Sequence, residues 1–204
     1  RVAALHALKV LDTPAESEFD ALVKAAALVC GVPIALISLI DNDRQWFKAR
    51  IGLDATETPR NLAFCAHAIL EEQIFEVANA LKDPRFAGNP LVTEAPDIRF
   101  YAGAPLTLST GERIGTLCVI DRVSRQLDAK QREILKCLAE TVAAMLERRV
   151  QARHAAALQL ELDKEQAALR DSEKRYQSVV EAMISGFVLQ DAEGAILSCN
   201  RSAE

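Results

Sequence analysis

The sequence lacks the long apolar run of a membrane helix, since no stretch approaches the roughly 18 apolar residues that such a helix needs. It also lacks any Cys-x-x-Cys pair. Its 5 cysteines lie far apart, at positions 30, 65, 118, 137 and 199. This spacing excludes the usual zinc motifs and a disulfide framework. We therefore expect a cytoplasmic protein whose thiols are reduced.

A basic surface and the common phosphate and metal motifs are also missing. The 24 Lys and Arg residues are outnumbered by 29 Asp and Glu, which gives a formal net charge of -5. Nucleic-acid binding usually needs a clustered basic face. The 8 glycines form neither a GxGxxG nor a Walker-type loop, and no HExxH motif is present. We expect neither nucleic acid nor a metal ion as a ligand.

The first part of the chain alternates between helix and strand patterns. Thr13-Pro-Ala-Glu16 has the form of a capping box, and apolar residues recur at helical spacing behind it. Ile34 to Ile40 is apolar at nearly every position, which is typical of a central strand covered on both faces. Residues alternate from Arg44 to Ile51, and we expect the side with Trp46 and Lys48 to be open to solvent.

Two later stretches predict a pair of strands. These are Arg99 to Leu106 and Gly115 to Asp121, and Ser109 to Glu112 between them has the composition of a hairpin turn. The preceding segment, Asn79 to Asp97, is rich in Pro, Asn and Gly and predicts a long loop. A loop of this length is often functional.

Asp128 begins a last helix for which the sequence contains no evident stop. Val150 to Arg170 consists mainly of strong helix formers and contains no Gly or Pro. Apolar residues follow at coiled-coil spacing, although Glu165 and Ser172 interrupt the second register position. The residues at this spacing are Leu158, Leu162, Leu169, Tyr176, Val179 and Met183. We expect a homodimer in which two such helices run side by side, and a single solvated helix is the alternative.

From these stretches the chain resembles the GAF family, a small sensory fold that surrounds a ligand pocket. The matching stretches are Leu11 to Pro14, Ile34 to Gly52, Phe64 to His67, Asp83 to Phe86 and the two late strands. The similarity extends from about Thr13 to Leu146 and is to the bacterial subgroup found ahead of histidine kinases and cyclic-di-GMP enzymes. It implies an α+β fold with an antiparallel six-stranded sheet. The first and last helices would cover one face, and a ligand pocket would lie under loops on the other.

The last part of the chain resembles the start of a PAS domain, another sensory fold. We predict two short strands there, Phe187 to Gln190 and Ala195 to Cys199, which are too few residues for a core of their own. The resemblance rests on Glu173 to Tyr176, Val180, Glu181, Gly186, Asp191 to Gly194 and Asn200. The predicted organisation is a GAF domain at 1–146, a helical coiled-coil linker at 147–171 and a truncated PAS start at 172–204.

Five residues are candidates for a ligand site: Cys65, His67, Phe86, Arg99 and Tyr101. The two aromatic side chains with a polar anchor at Arg99 are typical of a small-ligand pocket. Cys65 and His67 fall on a predicted short helix, where they point about 200° apart and so cannot form a catalytic Cys–His pair. Ordinary core packing is the alternative for each of the five.

For Cys65 the sequence leaves packing, redox chemistry and a covalent adduct open. In bilin-binding relatives the cysteine is usually followed directly by histidine, and Ala66 interrupts that pattern. Cyclic-nucleotide-binding GAF domains carry an Asn-Lys pair and then a Phe followed three residues later by Asp-Glu. The corresponding positions here are Asp121-Arg122, Leu127 and Gln131-Arg132, which argues against cyclic GMP. The cofactor, if there is one, stays unknown.

We interpret the chain as an input module of a bacterial signalling protein and not as an enzyme in itself. It would bind a small molecule or sense redox state, and relay this through the dimeric helix to a histidine kinase or a GGDEF/EAL output in the same chain. One alternative is a ligand-free dimerisation scaffold. Another is a thiol reductase, because one GAF branch reduces free methionine sulfoxide with pocket cysteines. That chemistry needs two adjacent cysteines, and the sequence does not fix the distance between Cys65 and Cys118.

Overall fold

The computed structural model of the chain describes residues 1–182, 186 and 188–199. They fall into two compact units, Arg1–Gln151 and Ala152–Glu204. Met183 of the predicted coiled coil, together with Phe187 and Asn200 of the predicted PAS start, lies outside the described residues.

A six-stranded antiparallel sheet forms the centre of the first unit. Along the sheet the strands lie in the order β3-β2-β1-β6-β5-β4, with bounds β1 (Ile34–Ile40), β2 (Arg44–Ile51), β3 (Glu57–Pro59), β4 (Phe75–Val77), β5 (Phe100–Thr107) and β6 (Arg113–Asp121). Every residue of β1 is buried, as its continuous apolar sequence predicts. The expected α+β fold with a six-stranded antiparallel sheet is confirmed.

The two faces of the sheet are covered by different helices. The helices are α1 (Val2–Ala7), α2 (Ser17–Cys30), α3 (Phe64–Ala68), α4 (Pro90–Thr93) and α5 (Ala129–Ala182). The first two and the start of α5 share one core, which includes Phe19, Leu135 and Val142. The opposite core contains Phe64 of α3 and Val92 of α4. This second face, under short helices and loops, is where the resemblance places the ligand pocket.

The predicted capping box at Thr13 and Glu16 is wrong. Helix α2 begins at Ser17 with Glu16 as its N-cap residue, and no side chain caps it. Both side chains instead bind Lys48 of β2, whose Nζ lies 2.8 Å from Thr13 Oγ1 and 2.5 Å from Glu16 Oε1. Arg149 of α5 donates to the same Glu16 oxygen at 2.5 Å. A buried ammonium group needs acceptors and a counter-charge. Thr13 and Glu16 provide them to Lys48 and therefore do not cap α2, and Glu16 links β2 to α5.

The predicted solvent-facing side of β2 is also wrong, because Trp46 is only 8% exposed and Lys48 only 3%. A register shift in the β1–β2 ladder leaves Lys48 as an extra residue between Phe47 and Ala49. Such a bulge interrupts the alternation of side chains. As a result Trp46 and Ala49 both pack in the core beneath α2, whereas Phe47 packs in the opposite core.

Helix α5 begins at a reciprocal cap and continues without a break to Ala182. The Asp128 carboxylate accepts from the Gln131 amide at 2.8 Å, and the Gln131 side chain accepts from the Asp128 amide at 3.0 Å. Residues 151–179 are exposed. The exposed fraction lies between 51% and 62% for the four apolar residues of the predicted dimer helix, Leu158, Leu162, Leu169 and Tyr176. The expected long helix is confirmed, and its pairing in a dimer stays a prediction.

The described residues after α5 form a short antiparallel hairpin, with strands β7 (Val188–Gln190) and β8 (Ile196–Cys199). At its turn the Asp191 carboxylate accepts from the amides of Glu193 at 3.1 Å and Ala195 at 2.8 Å. The strands lie where the sequence predicts them, and their assignment to a PAS domain stays a prediction. In the part of the chain that the structure describes, no helix has the length and apolarity to span a bilayer.

Candidate functional site

One face of the sheet carries buried polar and sulfur-containing side chains at its centre. In the β1–β6 ladder Leu36 lies opposite Cys118 and Ser38 opposite Thr116. In the β5–β6 ladder Gly103 lies opposite Cys118. Side chains two residues apart on a strand share a face, so the two hydroxyls and the thiol project to the same side. All three are fully buried.

Helix α3 brings a second thiol onto this face. Cys65 Sγ lies 3.8 Å from Cys118 Sγ, and both cysteines are free. The Tyr101 hydroxyl donates to Cys65 Sγ at 3.2 Å. This tyrosine lies over Gly103, where a Cβ atom would come within 2.2 Å of the hydroxyl oxygen. The glycine therefore makes room for the contact between the tyrosine and the thiol.

The surroundings of Cys65 favour its thiolate form. Burial raises the pKa of the thiol, but neighbouring polar groups that stabilise the thiolate outweigh burial and lower the pKa to about 7. The neighbours are Cys118, Thr116, Tyr101 and Ser38. Burial and the adjacent Cys65 raise the pKa of Cys118 well above its ordinary value. The two thiols therefore differ, since the pKa is lowered at Cys65 and raised at Cys118.

The hydroxyls of Ser38 and Thr116 also favour a thiolate at Cys65. Both oxygens are buried, and within the described residues neither makes a hydrogen bond of ordinary geometry. A buried hydroxyl without a partner costs about 1–3 kcal/mol. A thiolate at Cys65 would be a strong acceptor for both hydroxyls. More of the buried polar groups of the site would then be hydrogen-bonded than with a neutral thiol.

Cys65 and Tyr101 form part of the wall of a cavity of about 290 Å³. The wall is mainly apolar and includes Ile34, Leu36, Phe47, Phe64, Ile98 and Ile120. Among the described residues, no Lys, Arg or His side chain lines it, and Asp54 contributes the one carboxylate. Asp54, Ala55 and Ala95 are exposed and mark the mouth of the cavity.

Gln45 places an unsatisfied polar atom in this wall. Its side chain lines the cavity, and the residue is only 5% exposed. The amide nitrogen donates to Thr58 Oγ1 at 3.3 Å, whereas Oε1 has no hydrogen-bond partner among the residues described. An N–H or O–H group inside the cavity would satisfy this oxygen. Over the same residues, no group of three or more His, Cys, Asp or Glu side chains is arranged to hold a metal ion.

Residues 14–146 match the family model of the GAF domain, which is more than half of the chain. The chain belongs to the GAF domain family. GAF domains of this kind are sensory domains of signalling proteins, and the cavity lies on the face where the resemblance predicts the ligand pocket.

Similar proteins place the GAF domain in a signalling context. It is 51% identical over 125 residues to a cyclic di-GMP phosphodiesterase of Pseudomonas aeruginosa. This match covers 61% of the chain and only 21% of the relative, so the chain spans about a fifth of that protein.

Two solved structures share the fold at low identity. The blue-light absorbing form of the PixJ GAF domain of Thermosynechococcus elongatus has a TM-score of 0.57 and 14% identity, and the match covers 77% of this chain and 95% of that one. The type II free methionine-R-sulfoxide reductase of Thermoplasma acidophilum has a TM-score of 0.54 and 15% identity, with coverage of 65% and 92%. At such identities these likenesses show the fold alone.

The GAF domain places two of the five predicted ligand residues, Cys65 and Tyr101, in the cavity wall. Phe86 is buried behind the wall, and its ring stacks on Phe64 with 4.0 Å between the ring centroids. His67 is exposed, and its ring meets the Phe86 ring edge-on at 5.0 Å. Neither Phe86 nor His67 lines the cavity.

Arg99 also lies outside the cavity wall of the GAF domain. Its guanidinium group donates to the carbonyl oxygen of Val92 at 2.7 Å and to that of Ile98 at 3.2 Å. It also pairs with Asp97 at 3.6 Å. These contacts stabilise the loop before β5, so the role of the Arg99 side chain is structural.

Gln45 is not among the residues that the sequence predicts for this site, and Cys118 is named only as a possible partner of Cys65 in a thiol reductase. The feature of the sequence that could have indicated Cys118 is the alternation of side chains in β6, which puts it on the same face as Thr116. Only the register of β6 against β1, together with the position of α3, shows that Cys118 meets Cys65.

Proposed function

We propose that this GAF domain is an input module that binds a small, uncharged and mainly apolar molecule in the cavity walled by Cys65 and Tyr101. The observation that carries the proposal is the cavity itself, with its apolar wall and the unsatisfied oxygen of Gln45. Pockets for small ligands commonly combine an apolar lining with a few polar groups that fix orientation.

The charges of the wall define the class of ligand. A phosphate or carboxylate brought into an apolar cavity loses its hydration and needs a cationic partner. In the part of the chain that the structure describes, no Lys, Arg or His lines this cavity. Asp54 at the mouth disfavours anions further. A neutral molecule with one N–H or O–H donor for Gln45 Oε1 fits the lining best.

The signal of ligand binding would be transmitted out of the domain through α5. Arg149 of α5 is bonded to Glu16, which binds Lys48 on β2, next to the cavity residue Phe47. The cavity wall and α5 are therefore joined by a short series of contacts. We retain the predicted organisation of a GAF domain at 1–146, a coiled-coil linker at 147–171 and a PAS start at 172–204.

The proposed output is a signalling enzyme in the same protein, in the cytoplasm. The similarity to a cyclic di-GMP phosphodiesterase favours a GGDEF/EAL output over a histidine kinase. The proposed dimer forms through the exposed apolar residues of α5. In a paired helix a change of register at one end can be passed along its length.

Two dyes of the same skeleton test the proposed ligand class. N-phenyl-1-naphthylamine is neutral and carries one N–H donor, and 8-anilino-1-naphthalenesulfonate adds a negative charge. Fluorescence titration should show tighter binding of the neutral dye. Ile98→Trp fills the cavity and should abolish binding, and Gln45→Leu should weaken it about fivefold, the value of one hydrogen bond of about 1 kcal/mol.

Leu28→Trp is the matched control, because Leu28 is exposed on α2 and does not line the cavity. Equal binding of the two dyes would contradict an uncharged ligand, and unchanged binding by Ile98→Trp would place the dye elsewhere. A protein that binds neither dye would favour the ligand-free scaffold.

A further inference from the structure

A second thiol in contact with the cavity residue Cys65 is not needed to bind an apolar ligand. Cys65 and Cys118 are 53 residues apart in sequence, and their sulfur atoms lie 3.8 Å apart. A disulfide bond of about 2.05 Å would need the two sulfurs to approach by roughly 1.8 Å. Cys30 lies in the opposite core, and Cys137 and Cys199 are exposed.

We propose that Cys65 and Cys118 form a redox-active pair that reduces an organic hydroperoxide and closes into a disulfide. The inference rests on the proposed function only in that the cavity is the route by which the hydroperoxide reaches Cys65. Bulk solvent does not provide this route, because Cys65 is 2% exposed and Cys118 is 0% exposed.

The chemistry proceeds in two steps that balance. The Cys65 thiolate attacks the terminal oxygen of the hydroperoxide, the O–O bond breaks, and Cys65 becomes a sulfenic acid. The alkoxide leaves and takes up the proton that Cys65 lost. The Cys118 thiol then attacks the sulfenic sulfur, and its proton leaves with the hydroxyl group as water. In sum, two thiols and one hydroperoxide give one disulfide, one alcohol and one water, and two electrons pass from sulfur to oxygen.

The site assigns different roles to the two cysteines. Cys65 lines the cavity, so it meets the hydroperoxide first. Its sulfur accepts a hydrogen bond from the Tyr101 hydroxyl at 3.2 Å. Cys118 lies behind it on β6 and does not line the cavity, so it is placed to resolve the sulfenic acid. The ease with which Cys65 ionises supports its role, since thiols with a pKa near the ambient pH attack fastest.

An apolar hydroperoxide suits the cavity better than hydrogen peroxide does. The organic part can pack against side chains such as Ile34, Phe47 and Ile98, and burial of apolar surface contributes about 25 cal/mol per Å². The new disulfide would draw Cys65 away from the cavity wall and fasten α3 to β6. Oxidation would therefore change the shape of the ligand cavity.

The test uses the reduced full chain and one equivalent of cumene hydroperoxide. Cys137→Ser and Cys199→Ser are built into every protein compared, so that exposed thiols cannot cross-link. Denaturing mass spectrometry should show the loss of two hydrogens, and peptide mapping should link Cys65 to Cys118. The reaction should be more than tenfold faster than with hydrogen peroxide, and Ile98→Trp should remove this preference.

Single-cysteine variants assign the steps. Cys118→Ser should stop at a sulfenic acid on Cys65, trapped by a dione reagent, and Cys118→Ala should do the same if the serine protein does not fold. Cys65→Ser should leave Cys118 reduced. Cys30→Ser, which removes a buried thiol of the opposite core, should oxidise like the parent.

The proposal is overturned if Cys65 and Cys118 stay reduced in folded protein, or if a disulfide forms but Cys118 is the residue trapped as sulfenic acid. Equal rates with the two peroxides would overturn the organic specificity. Dye binding without oxidation would support the proposed ligand cavity and reject the redox pair. Oxidation by hydrogen peroxide without dye binding would reject the proposed ligand instead.

Discussion

Tyr101 can hold its hydroxyl beside the Cys65 sulfur because Gly103, two residues along β5, has no side chain. The ring crosses the space that a Cβ atom at 103 would need, and its hydroxyl donates to the thiol at 3.2 Å. A donor in this position stabilises the thiolate more than the thiol. A residue without a side chain thus helps to determine the ionisation of a cysteine on another element.

Tyr101→Phe and Gly103→Ala should both raise the pKa of Cys65. The first removes the donor, and the second displaces it with a methyl group that would otherwise lie 2.2 Å from the hydroxyl oxygen. The ultraviolet absorbance of the thiolate, corrected with Cys65→Ser, should have its midpoint at about 7 in the parent and at a higher pH in both variants. Tyr101→Phe should also cost about 1 kcal/mol of unfolding free energy.

The exposed Tyr176 provides the matched control, and Tyr176→Phe should leave the midpoint unchanged. The sign of the stability effect follows from the same ionisation. The folded pKa of Cys65 is about 7 and its ordinary value is 9.0, so this thiolate stabilises the fold above pH 9, and the contribution is lost as the pH falls through 7. A midpoint that stays at 7 in both variants would show that Tyr101 does not set the pKa.

At the scale of elements, α5 changes character along its length. Up to Leu146 one side of the helix is buried against the sheet in the core that also holds Leu135 and Val142. Beyond Gln151 the described side chains are exposed up to Val179. A long helix with an exposed apolar side is typical of one that pairs with a second helix, which supports the proposed dimer.

Leu162→Glu combined with Leu169→Glu should convert the dimer into a monomer in sedimentation velocity experiments. The two residues fall seven apart, and carboxylates at these positions would face each other across the helix pair. Leu160→Glu is the matched control, since Leu160 is also exposed, at 56%, but falls outside the heptad positions. A double variant that sediments as the parent dimer would show that another surface holds the subunits together.

The elements that the sequence predicts well are those with a strong local pattern. The buried strand Ile34–Ile40 and the unbroken helix after Asp128 lie where their patterns indicate. The errors come from long-range partners. The capping box at Thr13 and Glu16 is wrong because Lys48, more than thirty residues away, binds both side chains.

The site shows the same limit. Cys65 and Tyr101 are found from the motifs that carry them, and both line the cavity. Cys118 joins them only through strand register and the placement of α3. Arg99 has the composition of a ligand anchor, yet its hydrogen bonds go to backbone carbonyls. Local patterns predict which side chains are buried, and tertiary pairing decides which of them meet.

On the scale of the whole molecule, the chain combines a GAF domain with a helix that leaves it and a short hairpin. The matching relative is about five times as long as the segment that it shares with this chain. The proposed role is therefore that of an input module whose cavity occupancy, or cysteine oxidation, alters α5. That role depends first on whether the cavity binds a molecule at all.

Paired native and denaturing mass spectrometry of the protein purified from cells tests this most directly, with Ile98→Trp as the comparison. The account predicts a mass excess on the native parent that disappears on denaturation and is absent from the filled variant. Such a difference would also give the mass of the ligand. The same result for the two proteins, either no mass excess on both or an equal mass excess on both, would contradict a small-molecule site in this cavity.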